Sequence, residues 1–164
     1  SFTIESLARL AAVSSPLVYN YFPSRQALLQ ALLEREYRVS GSALLAEVVN
    51  ASSFEEVIRA FIANNFDHHA PGNIVPVLMS QPELAAKIKQ LRKQTGKQTA
   101  NFLVENTAKN YKLNVEQAQL AITMSSGASV AAAEWVAMNQ LDRERAIDMV
   151  LAYIKSGMEG LGAE

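Results

Sequence analysis

The chain has 164 residues, 49% hydrophobic and 19% charged, with a net charge of −1 and no cysteine. This apolar content is ample for a buried core and excludes disorder as the main state, while the near-neutral charge gives no global attraction to nucleic acid. The missing thiols exclude a disulfide framework or a thiolate metal site and fit a reducing cytoplasm, and neither a membrane span nor a signal peptide is legible.

Thr3 is a good helix N-cap with Glu5 in the first turn, and Ile4, Leu7, Ala8 and Ala11 form one buried face. Ala12-Val13 makes a tight connection. Ser14 or Ser15 then caps a second short helix with Pro16 just inside; Pro23 stops it near Phe22. Two short helices joined by a tight turn are a helix-turn-helix, whose second helix enters a DNA major groove. Val13, Val18 and Phe22 are expected inward. Ser15, Leu17, Tyr19, Asn20 and Tyr21 are left outward, where the tyrosines either pack on the next helix or meet a partner surface. Within residues 1–38, Arg9, Arg25, Arg35 and Arg38 face Glu5, Glu34 and Glu36, a weak surplus for a DNA-binding segment.

Ser24 caps a long helix to about Asn50, whole or broken near Ser40-Gly41. Its expected stripe is Leu28, Ala31, Leu32 and Val39, widened by Leu29, Leu33 and Tyr37. Such a helix starts in one domain and ends in the next, a natural lever between 1–38 and 39–164. Ser53 to Glu56 reads as a capping box opening a helix with Val57, Ile58, Phe61, Ile62 and Phe66 inward, which stops at His68-His69-Ala70-Pro71-Gly72. Asn73–Met79, interrupted by Pro76, allows one or two turns. A long helix follows from Ser80-Gln81-Pro82-Glu83 to about Asn110, with a stripe of Leu84, Ile88, Leu91, Phe102 and Leu103 thinned at Thr95, Gln98 and Thr99. Its cations Lys87, Lys89, Arg92, Lys93 and Lys97 are a solvated face or an anion-binding surface.

Asn114 with Gln117 caps a helix to about Asn139, whose small-residue middle, Ser125 to Ala133, invites neighbours on more than one side. Asp142 caps the last helix, with Ile147, Val150, Leu151, Ile154, Met158 and Leu161 in its stripe and Gly157, Gly160 and Gly162 as a fraying end. Apolar surface to spare on these two helices suggests a four-helix homodimer. No strand signal appears, so the fold expected is all-α: a short helix-turn-helix domain followed by an antiparallel helical bundle.

The run T-I-E-S-L-A-R-L-A-A-V-S-S-P-L-V-Y-N-Y-F-P-S-R-Q-A-L-L resembles the DNA-binding domain of the TetR family of one-component repressors. Thr3, Ala11, Val13, Ser14, Val18, Tyr19, Phe22 and Leu28 fall in register. The resemblance covers about the first thirty-five residues. It implies phosphate contacts by Thr3, Tyr19, Tyr21 and Arg25, and approach to base edges or backbone by Ser14, Ser15 and Leu17. With Pro16 and Asn20, these are the candidate DNA-binding residues. Ala12 stands where the family usually has Gly, Ser15 where a basic residue is common, and Tyr21 where His is frequent. The family's first helix is missing before Ser1, so the resemblance also implies weak DNA binding by the chain as given.

Candidate sites outside the head are fewer. His68-His69 are neighbours about 100° apart on a helix, poor geometry for one metal and better suited to capping a helix C-terminus. Lone polar residues among aromatics and methionines point to an effector cavity: Phe61, Asn65, Phe66, Met79, Phe102, Asn106, Met124, Ser125 and Trp135 are the candidates, with Asn64, Glu134 and Met138 beside them. No catalytic set or phosphate loop is suggested, and no cofactor or metal is expected. The function expected is a cytoplasmic, non-enzymatic DNA-binding transcriptional regulator. It would be a homodimeric repressor released from double-stranded operator DNA by a small-molecule effector. The alternatives are a helical protein–protein adaptor using Leu17, Tyr19 and Tyr21, or a small bundle enzyme using His68 or His69.

Overall fold

The computed structural model describes residues 3–162, without the side chains of 92–98. Among the described residues the chain is all-helical: α1 (Ile4–Leu10), α2 (Ser15–Tyr21), α3 (Arg25–Asn50), α4 (Phe54–His68), α5 (Val75–Met79), α6 (Ala85–Tyr111), α7 (Val115–Asn139) and α8 (Arg143–Leu161), with a 3-10 turn at Pro82–Leu84 before α6. Local chemistry sets most of the starts. Side chains of Thr3, Ser14, Ser24, Ser53, Asn114 and Asp142 each accept from a first-turn amide, satisfying a donor that has no intrahelical partner. Thr3 with Ser6, and Asn114 with Gln117, close full reciprocal boxes.

Two buried clusters organise the packing. One joins α4, α7 and α8 through Ile58, Ile62, Phe66, Ala121, Ala133, Ile147, Ile154 and Met158. Alanines and Ser129 on α7 let α4, α6 and α8 approach it, as its small-residue middle suggested. The other cluster binds α3 to α5 and the start of α6 through Leu29, Leu33, Leu78, Leu84, Ile88 and Leu91. Each fully buried aliphatic here, such as Leu33 or Leu84, contributes roughly 1.5–3 kcal/mol of transfer free energy.

Several expectations need correction. Helix α3 runs unbroken through Gly41, and its buried residues are Leu29 and Leu33 rather than a stripe ending at Val39, which is 56% exposed. The reason is placement: α5 and the start of α6 lie against the Leu29–Leu33 face. Glu56 accepts from the amide of Ser52 at 2.6 Å, so the box expected at Ser53 is not reciprocal. Phe102 on α6 is exposed, and so is Val13 in the turn before α2. The last helix continues through Gly157 and Gly160 to Leu161. Gly162 ends it against α6, where a Cβ would lie 2.1 Å from the Tyr111 carbonyl oxygen. Of the expected cation face, Lys87 pairs with Glu34 and Lys89 is exposed; Arg92, Lys93 and Lys97, like Thr95 and Gln98, lie outside the described side chains.

Candidate nucleic-acid interface and effector cavities

Helices α1 and α2 are joined by a turn in which Ala12 has φ +55°, the left-handed region that favours glycine. The Val13 amide reaches back to the Ala8 carbonyl at 3.0 Å and Ser14 Oγ accepts from the Leu17 amide at 3.3 Å, so both sides of the turn are tied. Val18 and Phe22 are half-buried, and the opposite side of α2 is open: Leu17 and Tyr19 are each 43% exposed and Tyr21 73%. Thr3, Ser14, Pro16 and Asn20 are exposed too, and Ser15 is partly so. Eight of the nine candidate DNA-binding residues thus lie on this open head.

The two tyrosines differ. Tyr19 Oη donates to Glu5 Oε1 at 2.8 Å, which braces α2 against α1. A hydrogen bond from its own backbone amide holds the Glu5 carboxyl below its usual range, helped by Tyr19 and Thr3; Glu5 in turn raises the Tyr19 phenol. The proton of Tyr19 is therefore committed within the head, whereas the Tyr21 hydroxyl stands in solvent.

Arg25, the ninth candidate, is engaged by its own chain. Its guanidinium forms an ion pair with Glu83 and donates from Nη2 to Gln81 Oε1 at 3.1 Å. Gln26 Nε2 donates to the Glu83 carbonyl at 3.1 Å. The start of α3 is thereby fastened to the segment that opens α6. Nothing in the sequence marks Glu83 or Gln81 as partners of Arg25, because the separations are 58 and 56 residues.

In the bundle, an apolar cavity of about 280 Å³ lies among α4, α6, α7 and α8, and Phe61, Asn65 and Ser125 line it together with Ile58, Leu103 and Ile122. Asn65 Nδ2 donates to the buried Ser129 Oγ at 3.1 Å, fixing one of the few polar walls. A second cavity of about 500 Å³ lies between α3, the end of α4, α5 and α7; Asn65 is shared, and Met79 and Glu134 belong to it. Met124 and Ser125 border a third, of about 260 Å³, between α7 and α8. The remaining candidates fall elsewhere. Phe66 is in the core, Asn106 donates to the Phe102 carbonyl, and Phe102 and Trp135 are 40% and 54% exposed.

His69 ends α4 as its C-cap, while His68 Nε2 lies 2.7 Å from Ser40 Oγ. Among the described residues no three His, Asp or Glu side chains converge as a metal site, and no helix is long and apolar enough to cross a membrane. An exposed apolar face remains on α7 and α8: Leu120, Trp135, Met138, Met149 and Tyr153 are all more than half exposed.

Residues 1–32 match the sequence model of the bacterial regulatory proteins of the tetR family. No curated protein matches the chain. Among solved structures, the fold is similar to that of the fatty acid degradation regulator FadR from Bacillus halodurans. The TM-score is 0.65 at 20% identity, over 98% of this chain and 87% of that one.

Proposed function

We propose that the chain is a DNA-binding transcriptional regulator of the TetR type and that it acts as a repressor. Residues 1–38 would read the operator and residues 39–164 would dimerise and hold an effector. The observation that carries the reading is the open side of α2, where Leu17, Tyr19 and Tyr21 face solvent on a helix with no buried residue. Apolar and aromatic side chains held outward on a short helix suit contact with a groove and its phosphates. Two half-sites one helical turn apart need two heads, and the exposed Trp135, Met138, Met149 and Tyr153 supply a face on which copies can pair.

The apolar cavity beside Phe61 and Asn65 would take a small, largely apolar effector, and the subject of the FadR structure, fatty acid degradation, agrees with that in kind. Binding there would favour a state in which the heads are wrongly spaced. A hundredfold loss of occupancy needs roughly 2.7 kcal/mol of preference for that state.

The test uses an operator selected from a random DNA pool. Tyr21→Ala should weaken binding about tenfold, the worth of one charge-assisted phosphate contact, with the circular dichroism unchanged. Affinity within twofold of the parent would remove Tyr21 from the interface. Binding that ignores salt would instead favour a protein partner for the same face, since DNA affinity falls steeply with salt.

A further inference from the structure

The second cavity has a chemistry that the effector cavity lacks. Its titratable walls are Glu36 on α3, His68 and His69 at the end of α4, and Glu134 on α7, with Tyr37 and Asn65 beside them; no lysine or arginine lines it. The two carboxylates are met by solvent and by weak contacts, with the Glu36 side chain 24% exposed and that of Glu134 57%. Among the described residues, Glu36 meets only the Nε of its neighbour Arg35 at 3.7 Å, and Arg35 is itself 65% exposed. Glu134 meets His69 Nδ1 at 3.9 Å, which is an ion pair only when that ring is protonated.

His68 adds an acceptor and no charge. Ser40 Oγ donates its one proton to Asn64 Oδ1 at 2.7 Å, so the 2.7 Å contact to His68 Nε2 has the ring N–H as donor. In the neutral ring this leaves Nδ1 as a lone pair. Burial, followed by the neighbouring His69, pushes His68 below the ordinary histidine range against the opposing pull of Asp67 and Glu36, which keeps it neutral at pH 7. The titratable walls thus offer two carboxylates, and His68 adds no positive charge to oppose them. A metal ion would need three of these groups converging, and no such set occurs among the described residues. A volume of about 500 Å³ suits a larger cation.

We propose that this cavity binds an organic ammonium: a primary or secondary amine carrying a small apolar or aromatic group, its charge held by Glu36 and Glu134 and its apolar part by Tyr37, Val75 and Met79. An aromatic face and a thioether beside two carboxylates are favourable surroundings for such a cation. The site does not depend on the operator reading, and its test involves no DNA.

The experiment is calorimetric titration of the whole chain with three probes of similar size: benzylammonium, benzyl alcohol and benzoate. Benzylammonium should bind one per protomer, at least tenfold more tightly than the alcohol, with benzoate weaker still. Glu36→Gln with Glu134→Gln should lower benzylammonium affinity tenfold or more and leave benzyl alcohol unchanged. Each single variant should give part of that loss. Ser125→Phe, which fills the apolar cavity, should leave benzylammonium binding intact. Equal binding of amine and alcohol, no binding of the amine, or an affinity indifferent to both glutamates would each overturn the proposal. Loss of amine binding in Ser125→Phe would do so too, by placing the probe in the other cavity.

Discussion

Replacing Glu83 with alanine should make the protein hold DNA more tightly and more salt-sensitively, at a small cost in stability. Arg25 and Glu83 are about a third exposed, at 28% and 32%. Their pair therefore lies between an exposed one, worth about 0.2–1 kcal/mol, and a buried one, whose disruption costs about 3–5. About 1 kcal/mol is the expected loss, since Gln81 still accepts one N–H from the guanidinium. The Arg25 charge at the start of α3, no longer answered by Glu83, then becomes more available to a phosphate. One further phosphate neutralised steepens the slope of log affinity against log salt by about 0.9 per head, or roughly 1.8 for two heads. Fluorescence anisotropy on the selected operator from 50 to 200 mM salt reads that slope. The double variant Arg25→Ala with Glu83→Ala should return it to the parent value. An unchanged slope in Glu83→Ala, or a steep one in the double variant, would refute the idea that Glu83 withholds Arg25 from DNA.

Three more expectations concern the fold. Ala12→Gly removes the strain of a Cβ in left-handed backbone, about 1–2 kcal/mol, against about 0.4–1 lost to a freer unfolded chain, so it should stabilise the turn and slow hydrogen exchange over residues 11–22. Thr107 is fully buried and its Oγ1 has no hydrogen-bond partner; Thr107→Val should be neutral or raise Tm by a few degrees, and a clear loss would reveal a partner for that hydroxyl. His68 titrates below its unfolded value, so its contribution is fully present above about pH 6.5 and is lost as pH falls through the lower folded pKa. His68→Gln should flatten that part of the stability–pH curve, read by urea unfolding; a curve unchanged in the variant would assign the slope to another group.

What could be read from the sequence was mostly what a few neighbouring residues decide. Thr3, Ser24, Asn114 and Asp142 were legible as caps because each acts on an amide three residues away. The head was legible for the same reason, since Pro16 and Pro23 bracket α2 within nine residues. The buried face of α3 was not: apolar residues at 28, 29, 31, 32, 33 and 39 allow two stripes, and only the position of α5 and α6 selects Leu29 and Leu33. Nor could spacing pair Arg25 with Glu83, or set Glu36 and Glu134 into one cavity, because both depend on which helices become neighbours. Of the nine effector candidates, Phe61, Asn65, Met79, Met124 and Ser125 border cavities, distributed among three rather than gathered in one.

The uninterrupted course of α3 sets how small a motion can matter. Its 26 residues at a rise of 1.5 Å make a rod of about 39 Å. Pivoted near Asn50, a tilt of about 5° carries the Arg25 end through an arc of about 3.4 Å. That is one base-pair step along the duplex. In the proposed dimer, two such rods swinging oppositely would put a symmetric pair of heads two steps out of register, so angular play of only a few degrees at the far end would separate a protein that fits its site from one that does not.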